Sequence, residues 1–263
     1  MRLWWRFLRV GIHLMWGVLQ MGVLFRFLNE RRQKACIRIW SADLLTICGV
    51  ELKVCGLPPM PQAGGQLLVC NHISWLDIFA LNAVEPVRFV AKAEVAQWPV
   101  VGYLVRQAGT VFVARGGSRS NQRQLDEVAE ILRQGQHVAV FPEGTTTIGD
   151  KILPFKSRFF QTAIDVQCLI TPVLFRYPDE NGQPDPALAY CGDTSMMESL
   201  HSILGQRRSC VVLNFMSPVV AEGDRRELSD KLHRQLADKL EEPMQARQNA
   251  SEVKDAYNDL GVC

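Results

Sequence analysis

From residue 51 onward the sequence alternates short, mostly apolar runs with longer stretches of helical spacing, and few folds accept that alternation. The runs lie at 51–55, 66–70, 88–91, 110–114, 137–141, 169–175 and 210–215, with helical stretches at 76–84, 121–134, 158–166 and 196–204. A strand that is apolar at every position is buried on both faces. That requires helices above and below the sheet, with parallel connections passing through them. The expected architecture is α/β, a largely parallel central sheet covered by helices. At 263 residues the chain has room for one such domain and an appendage. The expected boundaries are an N-terminal helical anchor over 1–50, the α/β domain over 51–247 and a polar C-terminal tail over 248–263. A closing amphipathic helix is expected at 228–244, and the Pro/Gly-rich stretch 177–186 reads as a surface loop.

The appendage differs from the rest in charge. Residues 1–38 carry seven Arg and one Lys against Glu30 alone, leaving 21 basic and 26 acidic residues for the remainder. The same end holds sixteen residues without a charge, VGIHLMWGVLQMGVLF at 10–25. As a helix this run is ~24 Å long, short of a ~30 Å hydrocarbon core. A second amphipathic segment follows, with Ile37, Trp40, Leu44 and Ile47 or Cys48 at spacings of three and four. The expectation is a two-helix membrane anchor entering one leaflet, with Trp4, Trp5, Trp16 and Trp40 near the interface and arginines on anionic headgroups. A single crossing helix is the alternative. No small-residue cleavage site follows the run, as a signal peptide would require.

Eight cysteines form no CxxC or CxxH pair and lie mostly in apolar contexts. They read as reduced core thiols on a cytosolic face, with no metal site.

The apolar run ending at Cys70 leads at once into NHISWLD, residues 71–77. Ser74 and Asp77 have the spacing of a capping box, which makes a helix start the simplest reading. That reading leaves His72 without a role. Five residues of helix turn through ~500°, so His72 and Asp77 cannot share a face. They meet only if His72 folds back over the helix N-terminus, which sets an imidazole beside a carboxylate at the C-terminal end of a strand. Open α/β sheets place their active sites there, and a His–Asp pair orients a general base. Other strands end in polar chemistry too: RFVAK in Lys92, GTVFVARGG in Arg115, FPEGTTT in Glu143 and Gly144, and LITPVLF carries Pro172. Singly these are a solvated strand end, a turn and a bulge residue. If their strands share one sheet, they are expected to converge on one mouth.

In that order, NHISWLD, the GxVFVxR segment ending at Arg115, FPEGT at 141–145 and the Pro172 strand resemble the four motifs of the lysophosphatidic acid acyltransferase family, the glycerophospholipid acyltransferases with an NHx4D motif. The segment 89–109 and PFKSRFF at 154–160 resemble family sequence as well, so the likeness spans about 65–175. It implies an O-acyltransferase of phospholipid biosynthesis, moving a fatty acyl group from an acyl thioester to the free hydroxyl of lysophosphatidate to give phosphatidate. His72 would be the general base and Asp77 its orienting carboxylate. Lys92 and Arg115 would hold the acceptor phosphate, and Glu143 and Gly144, with Thr145 beside them, would shape its glycerol site. No bound cofactor is implied. The donor is acyl-CoA or an acyl-carrier-protein thioester, and the partners are the membrane surface, its lipid acceptor and acyl carrier protein, with no nucleic acid. The location implied is the cytoplasmic face of the inner membrane. One position departs from the family: many members carry arginine after FPEGT, and here it is Thr146. Either Lys156 or Arg158 supplies the missing cation, or the acceptor is a lyso-ornithine lipid. A thioesterase and a non-catalytic lipid-binding protein are the competing classes.

Overall fold

The computed structural model describes residues 2–59, 64–113 and 118–243. Eight strands form one sheet: β1 (Val50–Cys55), β2 (Gln66–Cys70), β3 (Arg88–Lys92), β4 (Val111–Val113), β5 (Val138–Val140), β6 (Leu169–Arg176), β7 (Ser209–Phe215) and β8 (Val219–Val220). Their order is β1-β7-β6-β2-β5-β3-β4, with β8 on β6. All pairings are parallel except β6 with β7 and with β8.

Eight helices accompany the sheet: α1 (Arg2–Leu19), α2 (Glu30–Cys48), α3 (Leu76–Val84), α4 (Val101–Gln107), α5 (Ser118–Arg133), α6 (Arg158–Val166), α7 (Met196–Gly205) and α8 (Arg225–Glu241). The two faces of β2 explain why it is apolar from Leu67 to Cys70. Leu68 and Cys70 enter a core shared with α1, α2, α3 and α7, whereas Leu67 and Val69 enter one shared with α5, α6 and α8. The unbroken apolar run is thus the mark of a strand with helices on both sides. Asp224 caps α8 through the N–H groups of Arg226 and Glu227, so the helix starts before its apolar spacing begins at Leu228. The Ala114 end of the fourth expected strand, the Met244 end of the closing helix and the tail lie outside the described residues.

At the N-terminus, α1 runs on through a π-helical turn (Gln20–Leu24) and a 3₁₀ turn (Phe25–Phe27). The whole stretch Arg2–Phe27, 26 residues, is long and apolar enough to cross a membrane. Trp4, Trp5, Leu8, Ile12, Met15, Trp16 and Phe27 are exposed along it. Two expectations for this region need correction. Trp40 is buried, stacked on His13 at 4.7 Å between α1 and α3, so it does not face a bilayer. Arg6 donates to the Leu204 and Gln206 carbonyls (3.0 and 2.6 Å) and Arg2 to Gly205, so the Arg6 guanidinium, expected on headgroups, is engaged with open carbonyls at the end of α7.

Candidate active site

β2 ends where its neighbours are held by a side chain. Asn71 Nδ2 donates to the Phe175 carbonyl (3.1 Å) and its Oδ1 accepts from Phe175 N–H (2.7 Å), so the carboxamide extends the ladder to β6 while the backbone turns away. His72 follows, and the peptide groups of His72 and Ile73 are all occupied. His72 N–H donates to Glu143 Oε1 (2.8 Å) and its carbonyl accepts from Thr147 N–H (2.9 Å). Ile73 N–H donates to Asp77 Oδ2 (2.8 Å) and its carbonyl accepts from Tyr190 N–H (2.9 Å). Bonds at every peptide group fix the backbone from which the His72 side chain projects.

The fold-back expected from the NHx4D spacing is present. His72 Nδ1 lies 2.7 Å from Asp77 Oδ2, with Asp77 in the first turn of α3 and fully buried. The imidazole is 21 % exposed and stacks on Phe141 at 4.0 Å with an 18° interplanar angle. Asp77 Oδ2 also accepts from Ser74 N–H (3.0 Å), and Oδ1 accepts from the Tyr177 phenol (2.6 Å). Beside an ionised carboxylate, which only accepts, Nδ1 is the donor, so in the neutral imidazole the lone pair falls on Nε2. Nε2 has no hydrogen-bond partner among the described residues.

The capping box is realised by half. Asp77 accepts from the Ser74 N–H, but the Asp77 N–H goes to the Ser74 carbonyl (3.1 Å), and Ser74 Oγ is buried without a partner. Trp75 is the N-cap residue. The carboxylate serves the His72 turn first and the helix second.

Glu143 lies behind the imidazole. Its Oε1 takes His72 N–H and its Oε2 takes Leu153 N–H (2.8 Å), so both oxygens are held by backbone. Burial pushes its carboxyl up to about 7, against the two N–H donors that favour the charged form. Gly144 turns tightly on the Phe141 carbonyl at φ 72°, and a Cβ there would collide with Lys156 Nζ. A cation therefore stands over the FPEGT turn. Thr145 is exposed, and the Thr146 hydroxyl donates to the Tyr190 carbonyl. Lys92 closes β3 with its side chain exposed, at the same edge of the sheet and two strands from β2, about 10 Å away at ordinary strand spacing. Arg158 opens α6 with its guanidinium carbon 4.7 Å from the Phe159 ring centroid and its Nε buried without a partner; no hydrogen bond joins it to the His72 turn. Arg115 lies outside the described residues.

The sequence reading missed Tyr177, which opens the stretch taken for a surface loop. It is buried beneath Asp77. It directly follows the apolar β6, parallel to β2 with Val173 opposite Cys70, and that register placed it at the right edge. Among the described residues no group of three or more His, Cys, Asp or Glu side chains is placed to hold a metal ion.

A family model described as Acyltransferase matches residues 51–176. A 1-acyl-sn-glycerol-3-phosphate acyltransferase of Neisseria meningitidis is 36 % identical over 217 residues, 82 % of each chain. A lyso-ornithine lipid O-acyltransferase of Pseudomonas aeruginosa is 36 % identical over 196 residues, 73 % of each chain. Among solved structures, the 1-acyl-sn-glycerophosphate (LPA) acyltransferase PlsC of Thermotoga maritima shares the fold, with a TM-score of 0.63 at 23 % identity over 93 % of this chain and 99 % of that one.

Proposed function

The chain belongs to the lysophosphatidic acid acyltransferase family, and from that premise we propose that it transfers an acyl group from a thioester to the hydroxyl of lysophosphatidate, with His72 as general base. The observation that carries this reading is the His72–Asp77 pair, with Nδ1 tied at 2.7 Å and Nε2 open. In the proposed step Nε2 takes the acceptor hydroxyl's proton as that oxygen attacks the thioester carbonyl. Collapse of the tetrahedral intermediate breaks the carbon–sulfur bond, and the imidazolium returns the proton to the departing thiolate. Asp77 holds the tautomer and stabilises the imidazolium. Coenzyme A or acyl carrier protein carries the acyl group.

Lys92 and Arg115 are proposed to bind the acceptor phosphate, joined by Lys156, whose ammonium over Gly144 stands in for the arginine that many relatives carry after FPEGT. Gly144 and Thr145 would then border the glycerol. The position of Arg158 at the start of α6 is compatible with a part in the same cradle. The exposed apolar face of α1 supports an anchor in one leaflet at the cytoplasmic face of the inner membrane.

A second acceptor, a lyso-ornithine lipid, is favoured by Thr146, whose hydroxyl is turned to Tyr190 where a guanidinium would meet phosphate. Offering both acceptors with one acyl thioester to the purified full chain in detergent separates the two. Transfer to lysophosphatidate is expected. Transfer to the lyso-ornithine lipid alone would overturn the acceptor and leave the chemistry. The His72→Ala variant should lose about 10²–10⁴-fold of the transfer rate, and retained activity would remove His72 from the mechanism.

A further inference from the structure

We infer that Tyr177 is a positioning residue that sets the basicity of His72 through Asp77, so that the site runs on a chain of phenol, carboxylate and imidazole. The inference rests on the reading of His72 as general base. It is carried by geometry: the phenol donates to Asp77 Oδ1 at 2.6 Å, and the opposite oxygen, Oδ2, receives the imidazole at 2.7 Å. Tyr177 and Asp77 are both buried, so no water replaces the phenol. Burial first, and then the charge of Asp77, push the phenol well above its ordinary range and keep it a donor.

The consequence follows from charge. Each donor on a carboxylate draws electron density from it and lowers its pull on a neighbouring cation. With the phenol in place, Asp77 orients the imidazole and stabilises its cation less than it would alone, so the proposed base works to lower pH than it would without the phenol. Without it, Oδ1 is a buried acceptor lacking a donor, and the carboxylate leans harder on the imidazolium. The other ionisable groups around this chain are Glu143 beyond β5, bonded to His72 N–H, the Cys70 thiol on β2, and Lys156 at the FPEGT turn. They stay the same when Tyr177 alone is changed, so a difference between variants belongs to the phenol.

The test is the pH–rate profile of kcat/KM for the full chain and Tyr177→Phe in detergent, using whichever of the two acceptors is turned over. Alongside it, the ring of His72 is titrated by NMR in histidine-labelled protein. In Tyr177→Phe the acid limb is expected to move up by about half to one pH unit, with a loss of about 3- to 10-fold at pH 6 and within about twofold at pH 8.5. A uniform loss with an unmoved limb is what mere packing would give, and it overturns the inference. A fluorinated tyrosine placed at 177 keeps the ring, strengthens the donor and should move the limb down. It decides the matter if Tyr177→Phe does not fold, since a limb that stays put or rises then refutes the proposal. An active His72→Ala would refute the general-base reading itself. An inactive His72→Ala with an unmoved limb in the 177 variants would refute only the role of Tyr177.

Discussion

Both oxygens of Glu143 accept peptide N–H groups, one from His72 and one from Leu153, so the acid of FPEGT holds the His72 turn against the loop that follows. In Glu143→Gln the amide NH₂ must face one of those donors. The expected loss is about 1–3 kcal/mol of stability, read as a lower melting temperature together with slower transfer. The wild type adds a pH signature. Its folded carboxyl releases a proton near about 7, whereas the unfolded one does so near 4.5. Between those values the folded state holds more protons, so the contribution of Glu143 to stability falls as pH rises and levels off above 7. The advantage of wild type over Glu143→Gln should therefore be greater at pH 5 than at pH 8 in paired thermal melts. His72 and Asp77 were legible in the sequence because their spacing admits one arrangement. The buried partners were not: nothing about Tyr177 as a letter tells that its hydroxyl ends under α3, and FPEGT does not announce that Glu143 turns inward to backbone.

Among elements, β2 controls where His72 stands, and its own placement depends on its entry as well as its exit. Gly65 precedes it, packed so closely on the end of α5 that a Cβ would meet the Leu132 and Gln136 carbonyl oxygens. Within β2, the Thr171 hydroxyl of β6 donates to Gln66 Oε1 at 2.6 Å, and Gln66 N–H donates to His137 Nδ1 at 3.1 Å. Gly65→Ala forces α5 and β2 apart and should cost about 1–3 kcal/mol, as overpacking does, measurable by chemical denaturation. Strands with an unbroken apolar run, such as 67–70, could be read directly from the chain, as could α3 and α6, whose ends fall at 76–84 and 158–166 as expected. The two-residue β8 and the seven-residue α4 were not read, being too short for any periodicity to accumulate. Strand direction was hidden as well: β7 lies antiparallel to β6, and apolar runs look alike in either sense.

For the molecule as a whole, the N-terminal segment is joined to the α/β body and is not simply tethered to it. α2 contributes Trp40, Leu44, Leu45 and Cys48 to the core that also holds Leu68 and Val173. The uncharged stretch was plain in the sequence. Its docking was not, because it rests on pairs such as His13 with Trp40 and Arg6 with the end of α7, separated by 27 and about 200 residues. The exposed face of α1 predicts membrane behaviour. Replacing Ile12 and Met15, both 60 % exposed, with aspartate should reduce co-sedimentation with anionic liposomes by at least about tenfold and leave the melting temperature nearly unchanged. The pairing of β1 with β7 reaches into the life of the chain before it is finished. Val50 finds its partner in Ser209, 159 residues later. At about 5–20 residues per second, a ribosome takes roughly ten to thirty seconds to supply it. For most of that interval α1, α2 and β1 have been synthesised while β7 has not, so the apolar face of α1 exists before the sheet can close. That exposed face predicts that the nascent chain can meet a bilayer before its sheet is complete.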